Sequence, residues 1–418
     1  MNPCRDVYVI ASARTPFCRS YTGYQDLSNL DLLSVALNGL VAKTGLAGDT
    51  VGEVTAGAVV VHSADWNLAR EAVLNTPLSP STPASTLQMA CGTSLQGALM
   101  LAAKIATGEI DSGIAGGSDT ISDAPLTTSR KLAKRLVGLS KAKTFGAKLG
   151  AFKGLSLGEL APIAPSTGEP RTGLSMGQHC ERMAKHWAIE RTDQDALAAQ
   201  SHINAAAAYQ RGFFDDLLVP CNGVLRDNNL RPDTTAEGLA KLRPAFDRKN
   251  GTLTAGNSTA LTDGAGAVLL GTREWAEARG LPLLAKLTLG QTAANDFAGG
   301  DGLLMAPTQA VAKLLERANL SLQDFDFYEI HEAFAAQVLC TLKAWEDGDG
   351  VPVLGAIDRS RLNVVGSSLA MGHPFAATGA RVLGTAAKLI ADQGTGRALI
   401  SVCTAGGMGV AAIVEAVA

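Results

Sequence analysis

The segment Ser367–Val410 is the strongest indication of the fold, and it reads SSLAMGHPFAATGARVLGTAAKLIADQGTGRALISVCTAGGMGV. A loop that carries a histidine precedes a helix rich in small residues and an apolar strand that runs into Ala-Gly-Gly. The segment Thr86–Ser122, TLQMACGTSLQGALMLAAKIATGEIDSGIAGGSDTIS, has the same order with a cysteine in its loop. This repetition, of pattern more than of identity, indicates two related halves. We expect the two helix starts to meet near a pseudo-twofold axis, which would bring Cys91 and His373 together.

Strands and helices alternate in the rest of the chain as well. Residues 6–13 (DVYVIASA) have the pattern of an apolar strand, residues 26–45 that of a helix ending at Gly45, and residues 51–60 that of a second strand. Alternation at these lengths favours an α/β architecture in which helices cover a central sheet.

The character of the sequence changes between residues 122 and 250. Residues 172–214 predict two helices, with Thr192 as an N-cap. Upstream of them, residues 124–158 contain eight basic residues and no acidic one, and apolar residues recur there at helical spacing. The sequence therefore predicts an insertion with basic amphipathic helices. Its basic residues are Arg130, Lys131, Lys134, Arg135, Lys141, Lys143, Lys148 and Lys153.

Composition narrows the class of protein. The chain has 418 residues, of which 46% are hydrophobic and 18% charged, and its net charge is −3. These values indicate a globular protein of two or three domains and argue against a nucleic-acid partner. We find neither a secretory signal pattern nor an apolar run long enough to span a bilayer. The seven cysteines form no CxxC pair, which favours a reducing, cytoplasmic location over a disulfide framework or a zinc ribbon.

Several catalytic signatures are absent from the sequence. The stretch HEAFA begins like the zinc motif HExxH, but Ala335 stands where its second histidine would be. Walker and GxGxxG patterns do not occur either. Metal-dependent hydrolysis, nucleotide hydrolysis and hydride transfer therefore lose support.

Two cysteines and two histidines lie in constrained or glycine-rich settings. His373 stands between Gly372 and Pro374, His331 follows an apolar strand, and Cys403 precedes an Ala-Gly-Gly-Met-Gly turn. Purely structural explanations stay open as well. His331 could belong to a buried His-Glu pair, Cys403 to a close-packed turn, and Cys91 could be a packed thiol. Together they suit acyl transfer through a thioester, in which a thiolate at a helix start, its pKa depressed, attacks a carbonyl.

Six segments resemble the diagnostic motifs of the thiolase family, and the resemblance extends over essentially the whole chain. The histidine of HEAFA, the HPFAATGAR stretch and the basic insertion most resemble the degradative 3-ketoacyl-CoA thiolase subunit of fatty-acid β-oxidation complexes, including the trifunctional-protein β subunit. The segments are SARTPF (12–17), GGSDTISDAP (116–125), LTAGNSTALTDGAGA (253–267), HEAFAAQ (331–337), NVVGSSLAMGHPFAATGAR (363–381) and CTAGGMG (403–409).

The resemblance implies an α/β, thiolase-like fold. Two similar βαβαβαββ halves would form five layers, α-β-α-β-α, with an inserted, mainly helical loop domain. The N-terminal half would comprise residues 1–121 plus 251–278, the inserted domain 122–250 and the C-terminal half 279–418. A homodimer or a dimer of dimers would be the assembly.

The resemblance also implies site roles. Cys91 would be the nucleophile, His373 would take its proton, and His331 would line an oxyanion hole with His373. Cys403 would exchange protons with the leaving enolate and with coenzyme A. Backbone N–H groups of Cys91 and Ala405 would form a second oxyanion hole, although the family often has Gly at the position of Ala405.

The resemblance makes coenzyme A a substrate and implies neither a metal nor a permanently bound cofactor. Arg231 would reach the adenine end of coenzyme A, and Ser258 and Thr259 would touch its pantetheine arm.

Other functions stay open at this point. The same site could serve biosynthetic acetoacetyl-CoA formation. A decarboxylating condensing enzyme fits less well, because Cys403 stands where a second histidine of a Cys-His-His triad would be. The chain could also act mainly as a membrane-docking or scaffold subunit, with residues 124–158 on the membrane, and a hydratase/dehydrogenase α subunit is an expected partner. For most of these charges, a solvated face or a cradle for coenzyme A phosphates is the favoured explanation.

Overall fold

A computed structural model describes residues 4–348 and 350–418. Over these residues the strands form one mixed sheet of ten strands, in which β2 pairs only with β6. The order of the other strands is β4-β3-β5-β6-β1-β7-β10-β9-β8. The strands are β1 Tyr8–Arg14, β2 Cys18–Arg19, β3 Glu53–Gly57, β4 Ala84–Thr86, β5 Ser112–Asp119, β6 Thr262–Gly271, β7 Ala285–Ala294, β8 Phe327–Ile330, β9 Arg397–Thr404 and β10 Met408–Glu415.

Fourteen α-helices are found in the described part of the chain, and short 3₁₀ turns precede α3 and α14. The helices are α1 Asn29–Thr44, α2 Leu68–Leu74, α3 Thr93–Thr107, α4 Arg130–Lys141, α5 Phe145–Gly150, α6 Leu157–Leu160, α7 Met176–His186, α8 Arg191–Gln210, α9 Ala236–Leu239, α10 Arg273–Glu277, α11 Ala306–Ala318, α12 Ala335–Asp347, α13 Ser368–Met371 and α14 Thr378–Gln393.

The strand pairings divide the sheet into two similar halves. In the first half β3 runs parallel to β5, and β6 and β1 follow antiparallel. In the second half β8 runs parallel to β9, and β10 and β7 follow antiparallel. The halves join where Tyr8 and Val9 pair with Lys286 and Ala285. The internal repeat predicted from the sequence is therefore present as a pseudosymmetric pair of sheet halves.

Three apolar clusters stack the molecule into five layers. Helices α1 and α2 cover the strands of the first half, and α11 and α12 cover those of the second. Helices α3 and α14 lie in the middle, where their apolar faces pack on strands of both halves. The predicted α-β-α-β-α arrangement is thus confirmed, because each sheet half buries both of its faces.

The C-terminal half departs from the predicted order at its third strand. The N-terminal half has the full βαβαβαββ order, with β4 parallel to β3. At the equivalent place the C-terminal half has one parallel bridge, between Tyr328 and Leu362. The predicted N-cap Thr192 is also wrong, because α8 begins at Arg191 with Glu190 as its N-cap.

The region predicted as an insertion, residues 122–250, contains six of the helices, α4 to α9. The proposed boundaries after residues 121, 250 and 278 all fall between helices and strands, and they stay a prediction. Among the residues described, no helix has both the length and the apolar character that crossing a membrane requires.

Helices α3 and α14 approach each other closely at their first turns. A Cβ on Gly379 would collide with the backbone nitrogen of Leu95, so this contact requires glycine. Ser94 links the two starts, because its hydroxyl donates to the Ala376 carbonyl and accepts from the Ala380 N–H at 2.8 Å. The loops before both helices are thereby brought to one place.

Candidate active site

The cysteine loop ends in a short 3₁₀ turn, Ala90–Gly92, directly before α3. Ala90 has φ 46°, a left-handed conformation that a residue with a Cβ adopts only at some cost in free energy. A Cβ on Gly92 would lie 2.8 Å from the Thr404 side chain, so the loop packs tightly against the end of β9. These constraints hold Cys91, which is partly exposed, at the junction of the two halves.

His373 lies against Cys91. Its Nε2 is 3.0 Å from the Cys91 Sγ, and its Nδ1 is 2.5 Å from the hydroxyl of Thr378, the first residue of α14. The His373 N–H donates to Thr262 Oγ1 at 2.7 Å, which fixes the backbone of the loop. Gly372, at φ 104°, lets the chain turn beside Thr262 without a steric clash. The thiol and the imidazole are therefore in hydrogen-bonding contact.

The protonation of this pair differs from the sequence-based expectation. Burial raises the pKa of the Cys91 thiol to about 12, and Asp119 adds to the increase. Hydrogen bonds from the backbone of Ala405 and of Cys91 itself lower that pKa, but they do not outweigh burial. Burial, with the positive charge of Arg381, lowers the pKa of His373 to about 3. The expectation of a depressed thiol pKa is therefore wrong: the resting pair is a neutral thiol and a neutral imidazole.

The neutral pair sets the directions of the hydrogen bonds of His373. A protonated thiol donates, so the Nε2 of His373 accepts and its Nδ1–H donates to Thr378. In this tautomer Nε2 is placed to take the proton when Cys91 attacks a carbonyl.

His331 lies beside His373, and the ring centroids are 4.1 Å apart. Its Nδ1 contacts the Ser368 hydroxyl at 2.9 Å, while its fully buried Nε2 has no hydrogen-bond partner among the described residues. Burial, His373 and Arg381 together lower the pKa of His331 well below its usual value, so the ring is neutral. One ligand-type atom each of Cys91, His331 and His373 lies within 4.8 Å of the others.

Cys403 lies near the end of β9, next to the turn that faces Cys91. Burial raises the pKa of Cys403 well above its usual value, and the nearby Cys91 thiol contributes to that increase. The turn that follows contains Gly406 at φ 79° and Gly407 at φ 69°, which explains the glycines there. The Ala405 N–H contacts the Cys91 sulfur, so the methyl group of Ala405 leaves this donor available.

The residues predicted to bind coenzyme A fall into two places. Ser258 and Thr259 lie next to the His331 loop: the Thr259 hydroxyl donates to the Ser368 carbonyl at 2.8 Å, and its N–H donates to Ala333. The buried Ser258 Oγ has no hydrogen-bond partner within the described residues. Arg231 is exposed, and its backbone N–H donates to His202 Nδ1 at 3.2 Å.

Sequence reasoning missed the residues that hold these side chains. Thr378, Ser368 and Arg381 all lie within the motif 363–381, where their nearness to His373 was an available signal. Glu169, from the inserted region, accepts from the Gly406 N–H at 2.9 Å and so holds the turn at Ala405. No local pattern marks Glu169, because only the tertiary structure brings it to the site.

The arrangement suits acyl transfer. A thiol in contact with a neutral imidazole can form a thioester, backbone N–H groups at the sulfur can stabilise an oxyanion, and a second thiol can move a proton. The Nε2 of His331, buried and without a hydrogen-bond partner among the described residues, is available to a ligand oxygen.

Comparisons with known proteins agree with this chemistry. Residues 7–274 match the thiolase N-terminal domain, and residues 281–416 match the thiolase C-terminal domain. The chain is 41% identical over 423 residues to a 3-ketoacyl-CoA thiolase of Shewanella sp. (strain W3-18-1), covering 98% of this chain and 96% of that protein. It is 40% identical over 422 residues to the 3-ketoacyl-CoA thiolase of Yersinia pestis (strain Pestoides F), with the same coverage.

Solved structures show the same architecture over the full length. The Bacillus anthracis acetyl-CoA acetyltransferase superimposes with a TM-score of 0.84 at 28% identity, covering 100% of both chains. Human mitochondrial 3-ketoacyl-CoA thiolase in complex with CoA superimposes with a TM-score of 0.83 at 28% identity, covering 99% of this chain and 98% of that one. From the two matched domains and the full-length relatives, we conclude that this chain belongs to the thiolase family.

Proposed function

We propose that the protein is a 3-ketoacyl-CoA thiolase of fatty-acid β-oxidation, cleaving a 3-oxoacyl-CoA with coenzyme A to acetyl-CoA and an acyl-CoA two carbons shorter. The observation that carries the proposal is the 3.0 Å contact between Cys91 Sγ and His373 Nε2 at the junction of the two halves. The names of relatives at 40–41% identity support the same substrate class.

In the first half-reaction Cys91 is acylated. As its sulfur bonds to the 3-oxo carbon, His373 Nε2 takes the thiol proton, and the backbone N–H groups of Cys91 and Ala405 stabilise the oxyanion. The bond between C2 and C3 then breaks, leaving the acyl group on Cys91. The electron pair of the broken bond forms the acetyl-CoA enolate, whose thioester oxygen faces His331 and His373. Cys403 then protonates C2 of this enolate.

In the second half-reaction coenzyme A removes the acyl group. The Cys403 thiolate takes the proton of the incoming coenzyme A thiol, and that sulfur bonds to the acyl carbon. The bond to Cys91 breaks, and the Cys91 thiolate regains its proton from His373. All side chains thus return to their starting protonation states.

Coenzyme A is proposed as a substrate, and no metal or permanently bound cofactor takes part in the steps above. Ser258 supports a pantetheine contact, because its buried hydroxyl is unpartnered among the described residues and lies beside the His331 loop. The Thr259 hydroxyl donates to the Ser368 carbonyl, and we keep Thr259, next to Ser258, as a proposed pantetheine contact. The backbone N–H of Arg231 donates to His202 Nδ1 and the residue is exposed, which suits a contact of its side chain with the adenine end.

The test is a panel of 3-oxoacyl-CoA substrates from four carbons upward, with coenzyme A added. We expect acetyl-CoA and the shortened acyl-CoA in equal amounts, together with an acyl group on Cys91 by mass spectrometry before coenzyme A is added. Turnover confined to the four-carbon substrate would favour biosynthetic acetoacetyl-CoA formation. No thiolysis of any chain length would overturn the proposal.

We further propose a cytoplasmic homodimer or dimer of dimers that associates with a hydratase/dehydrogenase α subunit. The HEAFA histidine and the basic insertion support this branch of the family. Purification from the native source should yield a complex containing a second, larger subunit. A homo-oligomer without that subunit, recovered at low salt, would contradict the association.

A surface for peripheral membrane contact is the second proposal, and it rests on residues 124–158, here called the basic segment. Helices α4 and α5 form there as predicted, and seven of the eight basic residues are exposed. Arg135, half-buried, pairs with Glu159 at 2.9 Å. Large apolar side chains share this surface, which suits the headgroup region of an anionic bilayer. They are Leu126, Leu136, Val137, Phe145, Leu149, Phe152 and Leu157, and all are exposed.

Reversing charge in the basic segment should weaken binding to vesicles that contain anionic lipid. A basic residue near such a surface contributes about 1 kcal/mol, so changing Lys141, Lys143 and Lys148 to Glu should lower the partition constant at least about 100-fold. Co-sedimentation at fixed salt measures it, and thiolysis should continue.

The matched control reverses three exposed lysines outside the segment, Lys241, Lys249 and Lys313, with the same change in net charge. Equal loss in both triple variants would mean that net charge alone drives binding. Unchanged binding combined with a higher KM for coenzyme A would replace the membrane role by a phosphate cradle.

A further inference from the structure

A buried chain of hydrogen bonds leads from α14 to His331. The Nη2 of Arg381 donates to the Ser368 hydroxyl at 2.7 Å, and that hydroxyl contacts His331 Nδ1 at 2.9 Å. The Nη1 of Arg381 donates to Ser367 at 3.0 Å, which fixes the plane of the guanidinium. Arg381, Ser368 and His331 are each at most 2% exposed, so water does not compete for these bonds.

The chemistry of the donors assigns every proton in this chain. A guanidinium can only donate, so the Ser368 oxygen accepts from Arg381 and its own proton remains to be placed. The second partner of this hydroxyl within the described residues is His331 Nδ1, so the Ser368 proton has a hydrogen-bond acceptor only if Ser368 donates to it. A neutral imidazole that accepts at Nδ1 carries its proton at Nε2. His331 therefore presents a buried Nε2–H, which has no hydrogen-bond partner in the described residues.

We propose that Arg381 and Ser368 are positioning residues that lock His331 in the Nε2–H tautomer, aimed at the thioester oxygen of the leaving enolate. This inference rests on the proposed function, since it specifies how one oxyanion donor is prepared. A donor fixed before substrate arrives costs no reorganisation when charge develops on the oxygen.

The charge of Arg381 also helps to keep His331 neutral. Burial lowers the pKa of Arg381 to about 10, and Glu329 and Glu332 offset part of that decrease. Because this pKa is still above neutral pH, Arg381 stays protonated there. The positive charge of Arg381 also disfavours a second proton on His331. The same tautomer disfavours a metal at Cys91, His331 and His373, because His331 Nε2 carries the proton and has no lone pair to offer a metal.

The first test reads the tautomer directly. The chain has six histidines, so selective ¹⁵N-histidine labelling gives few signals, and a His331→Asn variant assigns those of His331. In the wild-type enzyme without substrate we expect a protonated Nε2 and an unprotonated Nδ1. The opposite tautomer would overturn the proposal, whether or not the enzyme catalyses thiolysis.

The second test uses a matched pair of variants. Ser368→Ala should remove the Nδ1 donor, mix the two tautomers of His331 and lower kcat/KM for thiolysis about 100-fold. Ser368→Thr retains the hydroxyl and should restore both readouts. Alkylation of Cys91 by iodoacetamide should change by less than about threefold in Ser368→Ala, since the Cys91–His373 pair is untouched.

The outcomes distinguish a failure of the positioning role from a failure of the proposed function. An unchanged His331 tautomer in Ser368→Ala, or an equal loss of kcat/KM in Ser368→Thr, would overturn the positioning role. Absence of acyl-Cys91 in the wild-type enzyme would instead overturn the proposed function, while the wild-type tautomer measurement would still stand.

Discussion

Replacing Cys91 by serine should abolish thiolysis, with turnover falling by at least about 10⁴-fold, the scale seen when a covalent nucleophile is removed. The serine hydroxyl is similar in size but far harder to deprotonate, and His373, with its pKa lowered to about 3, is a weak base. Because the substitution removes no binding group, the Kd of coenzyme A should change by less than about twofold. Steady-state kinetics and calorimetry measure the two quantities.

Cys18→Ala provides the control for this substitution. Cys18 is a buried thiol whose pKa burial likewise raises to about 12, but it packs in a separate cluster beside Tyr24 and Cys221. The Cys18 variant should retain turnover to within about threefold, provided that it folds. Retention of a tenth or more of wild-type turnover in Cys91→Ser would remove Cys91 from the nucleophile role.

Much of the fold could be predicted because both copies of the internal repeat contain small residues where their helices pack. The small residues after Cys91 and His373 indicated that two helices pack closely, and Gly379 shows why: its neighbour across the contact is the Leu95 backbone. Helical and strand periodicity then placed α3, α14, β5 and β9. The described residues of the C-terminal half lack a third strand, and this was not predictable, because the bridge at Leu362 has no strand pattern of its own.

The four reactive side chains could be found by residue type and loop context, but their protonation states could not. Sequence gives the helix start behind Cys91, which by itself predicts a thiolate. It does not give the burial that raises the pKa of the thiol, nor the distance of Arg381 from His373. Likewise Glu169 and Ser368 act through partners that are 237 and 37 residues away along the chain.

Replacing His373 by asparagine should lower turnover about 10³-fold and change the pH dependence. General-base catalysis by a positioned group contributes about 10²–10⁴-fold. In the wild-type enzyme burial lowers the pKa of His373 to about 3 and raises the pKa of Cys91 to about 12, so this pair should leave turnover level between pH 6 and 9. Without the base, Cys91 must lose its proton to solvent before it attacks. The thiolate fraction rises with pH, so turnover should rise about tenfold per pH unit over that range.

Thr378→Val separates the base from its orientation. Valine has the shape of threonine but cannot bond His373 Nδ1, so the imidazole remains 3.0 Å from Cys91 while losing its anchor. We expect a loss of about tenfold with the level pH profile of the wild-type enzyme, because the base itself is retained. A level profile and a small loss in the asparagine variant would show that another group takes the Cys91 proton. A rising profile in both variants would show that Thr378 is needed to hold the base in reach.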